Sequence, residues 1–226
     1  MAKAKTVSYL EELQGKGRVI FLDTETTGFN PENDKIVEVG AIEVIDGKEG
    51  EHFHVYINPE RNIPSDATEV HGITDDQVEH ERKFYQIAKD LLSFIDGAKV
   101  VMHNASFDVG FLDAELKVAS RRVNEDLKTM SEHCEVIDSL AIARKLRPGS
   151  KNDLDSLCKA LKVDNSNRDL HGALIDAKIL SDVYGGLINY EREHYIAQTE
   201  KPYDDELVVK PIKATKRPRV VSSLSM

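Results

Sequence analysis

The chain has little that would staple or anchor it. Only two of its 226 residues are cysteines, Cys134 and Cys158, and their spacing fits neither a zinc cluster nor a disulfide framework, so both are expected to be buried thiols. No apolar run reaches the roughly 20 residues of a membrane-spanning helix. Residues 1–5 are basic, but the Tyr9-Leu10-Glu11-Glu12 that follows is no signal-peptide core, and a cytoplasmic location is expected. Positive charge is also scarce. Lys and Arg number 30 against 40 Asp and Glu, for a formal net charge of -10. Proteins that hold long duplex nucleic acid unaided carry the opposite excess, because phosphates are gripped by basic patches. The basic residues that do exist gather at one end: residues 207–226 hold five (Lys210, Lys213, Lys216, Arg217, Arg219) and no acid, so the acidity belongs to the body. No internal repeat is visible. Hydrophobic content of 40% and charged content of 31% suit one globular domain of moderate size.

What is present reads as an α/β chain. Residues 18–23, Arg-Val-Ile-Phe-Leu-Asp, are an almost continuous apolar stretch, the pattern of a strand covered on both faces. Residues 35–45 and 51–57 read as two further strands joined at Asp46-Gly47, a strong hairpin signal. Residues 58–74 contain Pro59, Pro64 and Gly72 and read as loop. Phe84, Ile87, Ala88, Leu91, Leu92 and Ile95 recur at helical spacing and predict a helix that stops before Gly97. Val100-Val101-Met102 predicts a short strand, 107–116 the start of another helix, Val136-Ile137 a last short strand leading into 138–146, and 154–161 a further helix. A final long helix carries Ala173, Ala177, Leu180, Val183, Tyr184 and Leu187. This order predicts an α/β domain with a mixed, partly antiparallel central sheet flanked by helices. Residues 1–17 then form an N-terminal arm, 18–190 the domain, and 191–226 a polar, basic and flexible tail.

Four carboxylates and one imidazole stand out against this frame. Asp23 and Glu25 are two apart, so on a continuing strand they point to the same side, where they repel unless a cation sits between them. A hard divalent ion with oxygen ligands is the natural neutraliser. The same residues also suit an ordinary strand-to-turn junction, where Asp, Thr and Gly are common. Asp108 follows the strand at 100–102 and opens a helix, the position where open α/β sheets place their sites. Asp176 falls in the first turns of the last helix. His171 precedes it by five residues, and at about 100° per residue the two would stand roughly 140° apart on one helix, so His171 is expected in the loop ahead. Acids and an imidazole of this kind are what two-metal phosphodiester hydrolysis requires. His52 and His54 alternate on one strand as zinc ligands would, but lack a third ligand nearby, and His103 and Asn104 are expected to orient the backbone around Asp108.

An ordered set of motifs carries a family resemblance: Leu22-Asp23-Thr24-Glu25-Thr26-Thr27-Gly28, Phe53-His54-Val55-Tyr56, Val70-His71-Gly72-Ile73, His103-Asn104-Ala105 with Phe107-Asp108, Asp138-Ser139-Leu140-Ala141, and Leu170-His171-Gly172-Ala173-Leu174 with Asp176-Ala177. Between about residues 19 and 184 the chain resembles the DEDDh 3′-to-5′ exonucleases, and among them the epsilon proofreading subunits of bacterial DNA polymerase III. The resemblance implies a ribonuclease H-like exonuclease fold and two Mg2+ or Mn2+ ions on Asp23, Glu25, Asp108 and Asp176, with Asp23 bridging them. It implies His171 as the general base, an imidazole neutral near pH 7, and a 5′-mononucleotide as product. Substrate contacts carried over are Asp23, Thr24, Glu25, Thr26, Asp66, His71, Phe107 and Asp176, with Phe107 stacking on a base.

The ends depart from that family. An arm precedes the first strand, and Gln198-Thr199-Glu200-Lys201-Pro202-Tyr203 only weakly resembles a clamp-binding motif, because Lys201 stands where an aliphatic residue is wanted. The partners implied are a single-stranded or frayed DNA 3′ end, the polymerase catalytic subunit, a small accessory subunit and the sliding clamp, with no membrane. Proofreading of DNA is the expected activity, and an exonuclease of RNA ends is the alternative, because the motifs do not encode whether a 2′-hydroxyl is accepted.

Overall fold

A computed structural model of the chain describes residues 17–166, 168 and 170–196, residues 195 and 196 by backbone alone. Residues 1–16 of the arm and most of the tail, including 198–203, fall outside them. Three strands open the domain: β1 (Arg18–Thr26), β2 (Ile36–Ile45) and β3 (Lys48–Tyr56), each antiparallel to the one before. The β2–β3 turn is the one Asp46-Gly47 announces. Both residues take positive φ, 49° and 74°, so the turn closes in two residues and β3 begins at Lys48, ahead of the expected start.

Residues 58–74 are not all loop. They contain a helix, α1 (Ser65–His71), and its ends are the residues that read as breakers. Pro64 precedes the first turn, where a missing N–H costs nothing, and Gly72 closes the helix at φ 75° with its N–H on Thr68 O. A one-turn helix, α2 (Asp75–Val78), follows, then α3 (Phe84–Ile95) on the expected apolar positions. Next come β4 (Lys99–Met102), the long α4 (Ala105–Val123), a short α5 (Met130–His133) opened by a capping box of Thr129 and Glu132, and β5 (Glu135–Asp138). Helices α6 (Ser139–Leu146), α7 (Leu154–Leu161) and α8 (Ala173–Glu191) complete the domain, ending in a π-helical turn at Arg192–Ile196.

The sheet order is β3-β2-β1-β4-β5, with β1–β4 and β4–β5 parallel. Both faces are covered, which explains the continuous apolar run of β1. Ile20 and Leu22 face a cluster built by α3 and α4, while Phe21 faces one built by α6, α7 and α8. Two aspartates start helices beside the strand ends. Asp138 accepts N–H bonds from Leu140 and Ala141 at the head of α6, and also from Asn104, which leads into α4. Asp153 does the same for α7 through Ser156.

Candidate active site

The site forms where the parallel strands β1 and β4 end, and the pleat of β1 assigns its members. Asp23 and Glu25 project toward α8, and Thr24, between them, projects toward α4. Across the β1–β2 ladder Asp23 lies opposite Gly40 and Glu25 opposite Glu38. Gly40 is glycine because α8 begins directly above it: a Cβ there would lie 2.2 Å from Leu174 N. Glu38 accepts the Ala173 N–H at 3.0 Å, satisfying a free donor of the first turn of α8, and also pairs with His54 at 2.6 Å. Asp176, in that first turn, is thereby brought to the β1 acids. Asp108 arrives in the first turn of α4 and receives the Thr24 hydroxyl at 2.7 Å. Both acids gain from the positive end of their helices.

Burial dominates the electrostatics. It pushes Asp23 well above the ordinary carboxylate range, with the Asp108, Glu25 and Asp176 carboxylates adding to it. Burial, then Asp176 and Glu38, raise Glu25 to about 8. Asp108 is raised to about 7 by burial despite the Thr24 hydrogen bond. Asp176 goes the other way: burial would raise it, but the Arg168 guanidinium, bonded to both of its oxygens, holds it below the ordinary value. Like charges this close and this buried, all on oxygen donors, fit hard divalent cations. Glu25, His171 and Asp176 offer ligand atoms that lie within 4.8 Å of one another.

His171 sits ahead of α8, separated from it by the N-cap Gly172, with its backbone N–H on Val70 O at 3.1 Å. Its ring is half exposed, and Nδ1 stands 3.3 Å from Asp176 Oδ2. Arg168 is a residue at the centre of the site that sequence reasoning missed. It donates to both oxygens of Asp176, at 2.6 and 2.7 Å, and its only sequence signal is a lone cation in an otherwise uncharged or acidic approach to His171.

A cleft of about 540 Å3 is lined by Asp23, Thr24, Glu25, Phe107, Asp108, His171 and Asp176 on one side and by Arg144, Asn152, Asp153 and Asp155 on another. Thr26, Asp66 and His71 lie outside that lining. Thr26 donates to Gly28 O, Asp66 is exposed on α1, and His71 is buried with Nδ1 accepting the Ile73 N–H at 3.0 Å. Phe107 packs edge-on against Phe29, centroids 6.5 Å apart, and Phe29 itself is 86% exposed, an aromatic the sequence reading passed over. His103 bridges Ser139 and Asn152, tying the β4–α4 corner to α6 and to the loop before α7; it does not act on Asp108 directly. His52 pairs with Glu49, leaving neither strand histidine in a metal cluster among the described residues. Both cysteines are buried, and burial pushes their thiols up to about 11.

A family described as Exonuclease, of the RNase T type, matches residues 20–184. DNA polymerase III subunit epsilon of Buchnera aphidicola is 47% identical over 173 residues, spanning 74% of this chain and 72% of that protein. The Escherichia coli K12 protein of the same name is 39% identical over 213 residues, 90% of this chain and 86% of that one. Among solved structures, exonuclease X in complex with 5′ overhanging duplex DNA superposes with a TM-score of 0.57 at 29% identity, covering 78% of this chain and 92% of that one. The zinc-bound E. coli exonuclease I complex with single-stranded DNA gives a TM-score of 0.64 at 20% identity over 80% of this chain and 42% of that one, a likeness of fold alone.

Proposed function

Because the chain belongs to the exonuclease family, and within it to the DNA polymerase III epsilon subunits, we propose that Asp23, Glu25, Asp108 and Asp176 hold two Mg2+ or Mn2+ ions over the 3′ end of a DNA strand. The activity is metal-dependent 3′-5′ exonuclease, in the service of proofreading. The observation that carries the metal assignment is the convergence of four carboxylates in one cleft, Asp23 and Glu25 pushed up by burial and by neighbouring carboxylates and Asp108 by burial. When bound, the ions supply an activated water and neutralise charge on the leaving 3′ oxygen.

The chain's own groups do the rest. Thr24 holds Asp108 in place through its hydroxyl, so its share in gripping substrate falls to its backbone. His171 takes the proton of the attacking water at Nε2 while Nδ1–H turns to Asp176 Oδ2, and the half-exposed ring gives the proton on to solvent. The product is a 5′-mononucleotide. Phe107, extended outward by Phe29, offers an aromatic face on which any base stacks, which a sequence-indifferent editor needs. Thr26, at the end of β1, and Asp66 and His71, on α1, serve the terminal nucleotide from beyond the cleft lining. The acidic body leaves affinity for the template strand to a polymerase catalytic subunit, in keeping with relatives whose names make them subunits of a DNA polymerase. An accessory subunit and the sliding clamp complete the assembly, in the cytoplasm; no helix among the described residues is long and apolar enough to cross a membrane.

The test is a digest of matched 3′-labelled DNA and RNA oligonucleotides, with and without a mispaired 3′ end, in Mg2+ and in chelator. Faster removal of mispaired DNA, abolished by chelator, is expected. RNA cleaved as fast as DNA would overturn the proofreading reading, and activity in chelator would overturn the metal one. The names of the relatives favour DNA over RNA.

A further inference from the structure

Arg168, in the loop between α7 and α8, has no part in the reaction as described. Its side chain is only 6% exposed, in a loop where charged side chains ordinarily reach solvent. Nε donates to Asp176 Oδ1 at 2.6 Å and Nη2 to Oδ2 at 2.7 Å, a bidentate fork, while Nη1 reaches Asp155 Oδ1 at 2.6 Å. Nη2 also stands 2.8 Å from His171 Nδ1.

Two consequences follow from donor chemistry. The fork engages both oxygens of Asp176, the atoms a divalent ion would need. A guanidinium only donates, so His171 Nδ1 is an acceptor, the neutral ring carries its proton on Nε2, and neither nitrogen has a lone pair open to water. The arrangement is therefore a resting one: it satisfies a group of buried like charges that would otherwise repel, and it disables the base.

We propose that Arg168 is a positioning residue that occupies the Asp176 end of the site as a built-in surrogate cation, and that a divalent ion binding at Asp176 displaces it. The inference rests on the two-metal reading. Asp155, with its side chain 60% exposed at the rim, keeps hold of Nη1 as the fork lets go. Displacement frees Nδ1 to carry the proton toward Asp176 Oδ2 and leaves Nε2 open. Metal loading and base activation are then one event.

A residue that merely orients Asp176 for the ion would weaken metal binding when removed; a competitor strengthens it. Mn2+ titration calorimetry on the full chain and on Arg168→Gln is expected to show about tenfold tighter binding in the variant, the scale of one lost charge-assisted pair. Arg168→Lys keeps the charge without the fork and falls between, and it carries the comparison if the Gln variant does not fold. In parallel, 15N-resolved imidazole spectra should place the His171 proton on Nε2 in chelator and on Nδ1 with Mg2+, and on Nδ1 without metal in Arg168→Gln. Affinity equal to or weaker than wild type in both variants overturns the proposal. Failure of all three proteins to take up Mn2+ overturns the two-metal reading and this inference with it.

Discussion

His171 is the residue whose proposed role rests most directly on its position. It stands off the helix, half exposed, with a ring nitrogen 3.3 Å from Asp176, so it can approach water and withdraw. His171→Ala is expected to lower turnover about a hundredfold or more, the usual worth of a positioned proton acceptor, with Mn2+ affinity little changed. Affinity that collapses together with turnover would make His171 a ligand, as its place within 4.8 Å of Glu25 and Asp176 ligand atoms also allows. At this scale the candidate carboxylates and His171 are legible only as an ordered set of short strings, because each string alone also suits an ordinary turn or helix position. Arg168, Glu38 and Gly40 are not. Their parts depend on where α8 lands on the sheet, and a long-range approach of backbone to backbone leaves no local trace beyond a glycine inside an apolar strand.

Among the elements, α8 matters most, since it brings Asp176 to the acids of β1. Gly40→Ala would set a Cβ 2.2 Å from Leu174 N, a backbone atom that has no rotamer to change. The first turn of α8 must lift, and the expected result is about 1–3 kcal/mol of lost stability together with a fall in kcat as Asp176 leaves its partners. Urea melts and turnover measured on the same preparation check it; a variant that keeps full kcat would show that α8 does not need this close approach. Farther along, the helix contains a glycine that nothing crowds: no atom lies within 4 Å of a Cβ built at Gly185. Gly185→Ala should stabilise by about 0.5–1 kcal/mol through helix propensity alone. At Gly186 the added Cβ would meet Leu161 at 3.1 Å, so the same change there should not give that gain. An equal rise in melting midpoint at both sites would remove the packing argument. The elements themselves were readable in proportion to their length and period. The strands of the hairpin, α3 and α7 follow their apolar patterns, whereas α1 was hidden because Pro64 and Gly72 read as breakers when they are its two ends, and the four-residue α5 is too short to show a period.

For the whole molecule, the raised carboxylates couple stability to pH and to metal. In the metal-free fold Glu25 is raised to about 8 and Asp108 to about 7, so across neutral pH the native state keeps protons that the unfolded chain has released. The stability this contributes is fully present below the ordinary carboxylate values and is lost as pH rises through 7 and 8. Asp176, held below its ordinary value, contributes in the opposite sense, and that contribution disappears only when pH falls into the acid range. Between pH 6 and 8.5 the raised acids therefore decide the slope, and the melting temperature of the chelated protein should fall by several degrees. Divalent ions reverse the trend, because they compete with protons for the same oxygens and bind more tightly as those protons leave. Scanning calorimetry with chelator and with Mn2+ at both pH values should show a metal-induced rise in melting temperature that is larger at pH 8.5. A chelated protein that grows steadily more stable across this interval, or a Mn2+ increment that is the same at both ends, would mean that the four acids are not a single buried site waiting for cations.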